Sequence, residues 1–124
     1  MGYTIGKRFT FSASHRLDGL PDGHQCARLH GHNYTVEVVV GAERLAAPGF
    51  VTDFGDLAPM KTYVAEAFDH QHLNDVMDRP PTSENLAEHL AVWFMEHVEP
   101  TIAGRLVCVR VGETDSTWAQ YTPQ

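Results

Sequence analysis

The sequence has few basic residues and no long apolar segment. Nine Lys and Arg residues stand against sixteen Asp and Glu residues, which gives a formal net charge of -7. Because nucleic acids are bound through clustered basic side chains, this composition argues against a nucleic-acid partner. The longest apolar run falls far short of the ~20 residues that cross a bilayer, and residues 1–11 lack the apolar stretch of a signal peptide. We therefore expect a cytoplasmic protein with no membrane partner.

The chain also has only two cysteines, Cys26 and Cys108. One disulfide would be a poor framework for 124 residues, so we expect both as free thiols in a reducing compartment. The hydrophobic content of 43% and the charged content of 20% are typical of a globular protein. Length and composition together predict a single domain over residues 1–124 with one hydrophobic core.

The apolar periodicity predicts an α+β fold with the element order β-β-α-α-β-β. The predicted strands are Tyr3–His15, about Asn33–Gly41, about Arg105–Gly112 and Thr117–Tyr121. The first predicted helix covers about Leu57–Phe68. The second is capped by Thr82 or Ser83 and continues to Val98. This order builds an antiparallel four-stranded sheet with two helices on one face. Such a sheet has two exposed edges, which symmetric copies could pair, so we expect a homo-oligomer.

What the chain does have is histidine, with eight in all and six before residue 73. Residues two apart on a strand share a face, so His30 and His32 of "HGH" point the same way. His15 ends the preceding predicted strand, and an antiparallel hairpin would bring it beside that pair. Three neutral imidazoles leave an open coordination position, which is typical of a catalytic zinc site.

Each element of this pattern is weak alone, and other interpretations stay open. A lone histidine on a strand is more often a hydrogen-bonded core or surface residue, and Gly31 could simply mark a bulge. Cys26 lies four residues before His30 and could complete a structural site of one cysteine and three histidines.

Six segments, in this order and over nearly the whole chain, resemble the motifs of the 6-pyruvoyltetrahydropterin synthase and 6-carboxytetrahydropterin synthase family: "FTFSASHRL", "CARLHGHNYTVEV", "VTDFGDL", "FDHQHLN", "PTSENLA" and "VRVGET". The resemblance implies a T-fold subunit, whose sheet joins those of two neighbours in a trimeric barrel, and two stacked barrels in a homohexamer. It also implies a zinc-dependent lyase acting on 7,8-dihydroneopterin triphosphate.

The same resemblance assigns the site residues. It implies zinc ligands at His15, His30 and His32, a catalytic cysteine at Cys26, an acid/base pair at Asp69 and His70, a pterin anchor at Glu113, and pterin contacts at Thr82 and Ser83. A purely structural role stays open for two of these residues. Asp69 could simply end a helix, and Thr82 could simply begin one.

These residue types suit the implied chemistry. Zinc would acidify the hydroxyls and the adjacent C–H of the substrate side chain. A nearby dication favours the thiolate of a cysteine, so Cys26 could act as a general base. Asp69 would orient His70 through one ring nitrogen. The Glu113 carboxylate would accept two parallel hydrogen bonds from the 2-amino-4-oxopyrimidine edge of a pterin.

The identity of the product depends on the spacing between the cysteine and the histidines. Only "ARL" separates Cys26 from "HGH", which resembles the compact spacing of the bacterial 6-carboxytetrahydropterin synthases. This implies cleavage to 6-carboxy-5,6,7,8-tetrahydropterin, acetaldehyde and triphosphate, as a step in 7-deazaguanine biosynthesis such as that of queuosine or another deazapurine. Three alternatives stay open: a 6-pyruvoyl product, aldol cleavage of dihydroneopterin, and a non-catalytic metal-binding protein. The last would leave Cys26, the Asp69–His70 pair and Glu113 unexplained.

Overall fold

The computed structural model describes residues 2–124, which form one five-stranded sheet with helices packed on it. The strands are β1 (Tyr3–His15), β2 (His30–Ala42), β3 (Gln71–His72), β4 (Arg105–Thr114) and β5 (Thr117–Tyr121), and the α-helices are α1 (Ala58–Ala67), α2 (Leu73–Val76) and α3 (Ser83–His97). The strand order is β3-β1-β2-β4-β5. None of the helices in this part of the chain is long and apolar enough to cross a membrane.

The predicted sheet needs one correction. The four predicted strands are present and pair antiparallel, but β3 adds a fifth strand that runs parallel to β1, opposite Ala13 and Ser14. The single-turn helix α2 follows β3 directly and was not predicted either. Two residues are too short to show an alternating pattern, so β3 exists because β1 offers a free edge and not because its own sequence favours a strand.

Two strands also extend beyond their predicted ends. β2 begins at His30 and not near Asn33, and β4 continues past Gly112 to Thr114. The pairing of β1 with β2 runs without interruption from Tyr3 opposite Ala42 to His15 opposite His30, so Gly31 does not mark a bulge. Both candidate ligands of "HGH" therefore lie within a regular strand, where the sheet fixes their positions. Glu113 lies in β4 at an irregularity of the pairing with β5, between Gly112 and Thr114.

The core lies between one face of the sheet and the helices. Alternate residues of β1 and β2, including Phe9, Phe11, Tyr34 and Val36, are buried on this face. Phe11 stacks on Tyr34 with ring centroids 4.9 Å apart. The helix α3 covers β4 and β5 with its apolar side, and Thr82 caps it by accepting the N–H of Asn85 at 3.1 Å.

One glycine is required by the packing of this core. A Cβ placed on buried Gly104 would lie 2.5 Å from Val40 Cγ1 and 3.0 Å from Val51 Cγ1. Gly104→Ala should therefore lower the free energy of unfolding by about 1–3 kcal/mol, as overpacking of a core does. Urea denaturation would measure this loss. Gly6→Ala is the matched control, because a Cβ there meets nothing closer than 3.7 Å; equal stability of the two variants would contradict the packing described.

Candidate metal centre and active site

The β1–β2 hairpin brings the three predicted histidines together at one end of the sheet. His15 pairs with His30 across the hairpin, and His32 lies opposite Ala13. The Nε2 atoms of His15 and His30 are 2.8 Å apart, and one ring nitrogen from each of the three histidines lies within 4.8 Å of the others. His15 is only 1% exposed, and the other two are half-buried. The hairpin register alone therefore builds a compact cluster of three imidazoles.

Backbone carbonyls fix the tautomer of two of these rings. His15 Nδ1 lies 2.8 Å from the carbonyl oxygen of Pro81, and His30 Nδ1 lies 2.6 Å from that of Arg28. A carbonyl only accepts hydrogen bonds, so each Nδ1 carries the hydrogen and donates it. In the neutral rings the two Nε2 lone pairs then face each other at 2.8 Å, which is favourable only with a cation between or beside them. A carbonyl on the second nitrogen is also the usual support of a metal-binding histidine.

His32 supplies the third nitrogen. Among the described residues its Nε2 is the only buried side-chain N or O atom without a hydrogen-bond partner. Burial lowers the pKa of His32, the Glu113 carboxylate raises it, and His15 and His30 lower it further, with a net lowering. A neutral imidazole with a free, buried nitrogen is the form that binds a metal ion. The donor set of the three histidines thus fits a zinc ion.

Cys26 lies outside this cluster. It occupies a short 3-10 turn, Gln25–Ala27, where it is partly buried. Its N–H donates to His24 Nδ1 at 3.1 Å, and its carbonyl accepts the N–H of Leu17 at 3.2 Å. Within residues 2–124 the group able to hold a metal consists of the three histidines without Cys26. This arrangement leaves the thiol free for another role, and its catalytic role stays a prediction.

Asp69 and His70 are held on the edge of the sheet by Ser12 of β1. The Ser12 N–H donates to Asp69 Oδ1 at 2.9 Å, and the His70 N–H donates to the Ser12 carbonyl at 2.6 Å. Asp69 Oδ2 lies 3.0 Å from His70 Nδ1. The Ser12 N–H, followed by the His70 contacts, lowers the pKa of Asp69, while desolvation opposes this. The His70 side chain is 82% exposed, so the ring is oriented by Asp69 and open to solvent.

His70 also has an unusual backbone conformation. Its φ of 60° lies in the left-handed region, which non-glycine residues adopt rarely and at a cost. The two hydrogen bonds with Ser12 stabilise this conformation. In this conformation the His70 imidazole is exposed to solvent, as a group that exchanges protons with a ligand would require.

Glu113 lies between the histidine cluster and α3. Its Oε1 accepts a hydrogen bond from Ser83 Oγ at 2.6 Å, and its Oε2 lies 3.6 Å from His32 Nε2. A small cavity beside it is lined by Ser83, Glu113 and Trp118 among others. The Thr82 hydroxyl serves as the helix cap described above, so the structural role left open for it is present, and a pterin contact of Thr82 or Ser83 stays a prediction.

The family model described as 6-pyruvoyl tetrahydropterin synthase matches residues 4–124. The chain belongs to this family. The resemblance seen in the six motifs is thereby confirmed, and so is the predicted T-fold. The predicted number of strands is corrected from four to five.

Individual members of the family have different names. A Synechocystis protein named 6-carboxy-5,6,7,8-tetrahydropterin synthase is 35% identical over 125 residues, covering 96% of this chain and 92% of that one. A Pyrococcus furiosus protein named dihydroneopterin monophosphate aldolase is 33% identical over 97 residues, covering 78% and 75%. The structure of Caenorhabditis elegans 6-pyruvoyl tetrahydropterin synthase superposes with a TM-score of 0.83 at 26% identity, covering 98% and 96%.

Two features of this pterin synthase family member could not be found from its sequence. Ser12 holds Asp69 and His70 through its backbone N–H and carbonyl, for which no side-chain pattern gives a signal. The Tyr34 hydroxyl lies 3.2 Å from His15 Nδ1, and burial, aided by the Glu113 carboxylate, raises the pKa of Tyr34 so that it stays protonated. Tyr34 had only the signal of an apolar strand position. Its contact adds a second group that orients His15.

Proposed function

We propose that this protein is a zinc-dependent lyase that converts 7,8-dihydroneopterin triphosphate and water to 6-carboxy-5,6,7,8-tetrahydropterin, acetaldehyde and triphosphate, in the biosynthesis of 7-deazaguanine compounds such as queuosine. The observation that carries this proposal is the cluster of three histidine nitrogens, with two tautomers fixed by carbonyls and one buried nitrogen without a partner. Family membership and the name of the Synechocystis relative support the reaction class. The proposed location is the cytoplasm.

His15, His30 and His32 would hold the zinc ion. When bound, zinc supplies Lewis-acid chemistry towards the hydroxyl oxygens of the substrate side chain. The backbone carbonyls of Pro81 and Arg28 orient the rings of His15 and His30, so little reorganisation would accompany metal binding.

Cys26 and His70 would carry out the proton transfers. Cys26 is partly buried and outside the metal cluster, which suits a general base that removes a proton from the substrate side chain. His70 exchanges protons through Nε2 while its Nδ1 hydrogen bonds to Asp69, whose lowered pKa keeps it ionised at neutral pH. These roles are proposals that rest on the resemblance and agree with the observed contacts.

Glu113 would anchor the pterin ring. With Oε1 accepting from Ser83 and the adjacent cavity open beside it, the carboxylate is available to the 2-amino-4-oxopyrimidine edge. Glu113→Gln should weaken pterin binding by about 1.5–3 kcal/mol, the range for a hydrogen bond to a charged group. Calorimetry with neopterin would measure it. Asp115→Asn, which removes an exposed carboxylate two residues away, is the control, and equal affinity of the two variants would place the ring elsewhere.

We also propose the homohexamer, a dimer of trimers, as the assembly. Its support is the family and the two outer strands, β3 and β5, which have one unpaired edge each within residues 2–124. Sedimentation equilibrium should give six times the 13.8 kDa chain mass; a monomer at micromolar concentration would contradict it.

Product analysis decides between the proposed reaction and its nearest alternative. The compact spacing between Cys26 and His30 favours the carboxy product, and the name of the nematode structure keeps the 6-pyruvoyl product as the second candidate. Zinc-loaded protein incubated with 7,8-dihydroneopterin triphosphate should release acetaldehyde and triphosphate in equal amounts, with the carboxypterin detected by mass spectrometry. Triphosphate release without acetaldehyde, together with a 6-pyruvoyl pterin, would establish the alternative. A 6-hydroxymethyl product would indicate aldol cleavage.

A further inference from the structure

Asn74 is the last residue of the motif "FDHQHLN" and has no role in the function proposed above. It lies in the single-turn helix α2, which directly follows β3. Its Oδ1 accepts the N–H of Arg16 at 2.8 Å, and its Nδ2 donates to the carbonyl oxygen of Arg16 at 2.8 Å. One side chain therefore pairs with both backbone groups of a residue that lies 58 positions earlier in the chain.

This contact continues the edge of the sheet where the backbone of β3 has ended. The parallel pairing of β3 with β1 stops at Ser14, and Asn74 then contacts Arg16 in the same register. A side-chain amide offers an acceptor and donors, as a peptide group does, so it takes the place of a neighbouring strand. The chain is thereby held at the point where it leaves β1.

Arg16 begins the segment that carries Cys26. Residues 16–29 connect β1 to β2 and contain the thiol in their 3-10 turn. Leu17, the residue after Arg16, donates its N–H to the carbonyl oxygen of Cys26 at 3.2 Å. The position of Arg16 therefore constrains that of Cys26 through one covalent neighbour and one hydrogen bond.

The other hydrogen bonds of this segment are local. The Cys26 N–H donates to His24 Nδ1 at 3.1 Å, and the Arg28 carbonyl accepts from His30 Nδ1 at 2.6 Å. Within residues 2–124, the two contacts with Asn74 are the only hydrogen bonds that join residues 16–29 to a residue outside the β1–β2 hairpin. Without these two contacts, the segment is free to shift relative to the histidine cluster.

We propose that Asn74 is a positioning residue for Cys26, which it acts on through Arg16 and Leu17. This inference rests on the proposed function, in which Cys26 removes a proton from the substrate. A general base must lie within about 2.6–3.2 Å of its partner atom, and a displacement of about 1 Å can lower a rate by about 10²-fold. The same edge of β1 also holds the proposed acid/base pair, so one strand places both proton-transfer groups.

The test measures the order of the segment and the turnover in the same variants. Asn74→Ala removes both hydrogen bonds, so the protected amides of residues 16–29 should exchange with deuterated water about tenfold faster, as the loss of two exposed hydrogen bonds predicts. Mass spectrometry of the peptides measures this exchange. With zinc-loaded protein, kcat for 7,8-dihydroneopterin triphosphate should fall by about 10²-fold. KM and zinc content should stay close to wild type, because the pterin anchor and the zinc ligands lie elsewhere.

Asp75→Ala is the matched control, because Asp75 is exposed and lies in the same turn of α2. It should change the exchange and kcat by no more than about twofold, as surface substitutions do. Asn74→Asp is the second variant. It keeps the acceptor for the Arg16 N–H and loses the amide donor, so it should show both changes to a smaller extent. It also replaces Asn74→Ala in the test if the alanine variant does not fold.

Three results would refute the inference and leave the proposed function standing. The first is faster exchange with unchanged kcat, because Asn74 would then hold the segment without placing the thiol. The second is unchanged exchange in both Asn74 variants. The third is a loss of zinc that accompanies the loss of turnover, which would assign Asn74 to the metal centre. Wild-type protein that binds neopterin but does not turn over the triphosphate would instead refute the proposed reaction, and the positioning role with it.

Discussion

Replacing Cys26 by alanine is expected to lower the turnover of 7,8-dihydroneopterin triphosphate by about 10²–10⁴-fold, the contribution of a positioned general base, while the protein keeps one zinc per chain. The metal should stay because the three-histidine cluster forms without Cys26 and two of its rings are oriented by carbonyls. Turnover and zinc content of the same preparation should be measured together.

The other cysteine provides the control. Cys108 is buried in β4, and burial raises the pKa of its thiol, so it is unsuited to act as a base. Cys108→Ala should keep turnover within about twofold, with some loss of stability from the small cavity it creates. Loss of zinc together with activity in Cys26→Ala would instead support the structural site of one cysteine and three histidines.

Replacing either His30 or His32 by alanine should lower zinc affinity by more than about 100-fold, because even a change in the residues that support a ligand costs 10- to 100-fold. Zinc per chain, measured by elemental analysis after dialysis against a weak chelator, should fall from one to near zero, and turnover should be lost with it. His32→Ala also removes the buried nitrogen that has no other partner, so this variant should fold at least as stably as the metal-free wild-type protein.

His97→Ala is the matched control for this loss. His97 is exposed in the last turn of α3, where its Nδ1 donates to the carbonyl of Trp93 at 3.0 Å. It should retain full zinc and turnover. Full zinc retention in both His30→Ala and His32→Ala would refute the assignment of the metal centre.

The histidine cluster could be predicted from sequence because it depends on a single hairpin. Alternation places His30 and His32 on one face, and antiparallel pairing of two long strands brings His15 opposite them. The strand signal covers all thirteen residues of β1 and about Asn33–Gly41 of β2, which leaves little freedom of register.

Features that depend on tertiary contacts could not be predicted in this way. The strand β3 is two residues long, and the left-handed turn at His70 is stabilised by the backbone of Ser12, 58 residues earlier in the chain. The approach of Glu113 to His32 depends on β4 continuing past Gly112, the last residue of β4 that pairs with β2, where the apolar alternation that predicts a strand has ended. In each case the partner lies far away in sequence, so local propensity carries no information about it.

X-ray absorption at the zinc edge tests the metal centre, on which the proposed function depends, more directly than any variant does. The structure predicts three imidazole nitrogens in the first coordination shell of the purified wild-type protein, with the remaining position taken by an oxygen and no sulfur. A sulfur ligand, or fewer than three imidazoles, would contradict the assignment of His15, His30 and His32 as the metal ligands. A sulfur ligand would also contradict the assignment of Cys26 as a general base outside the metal site.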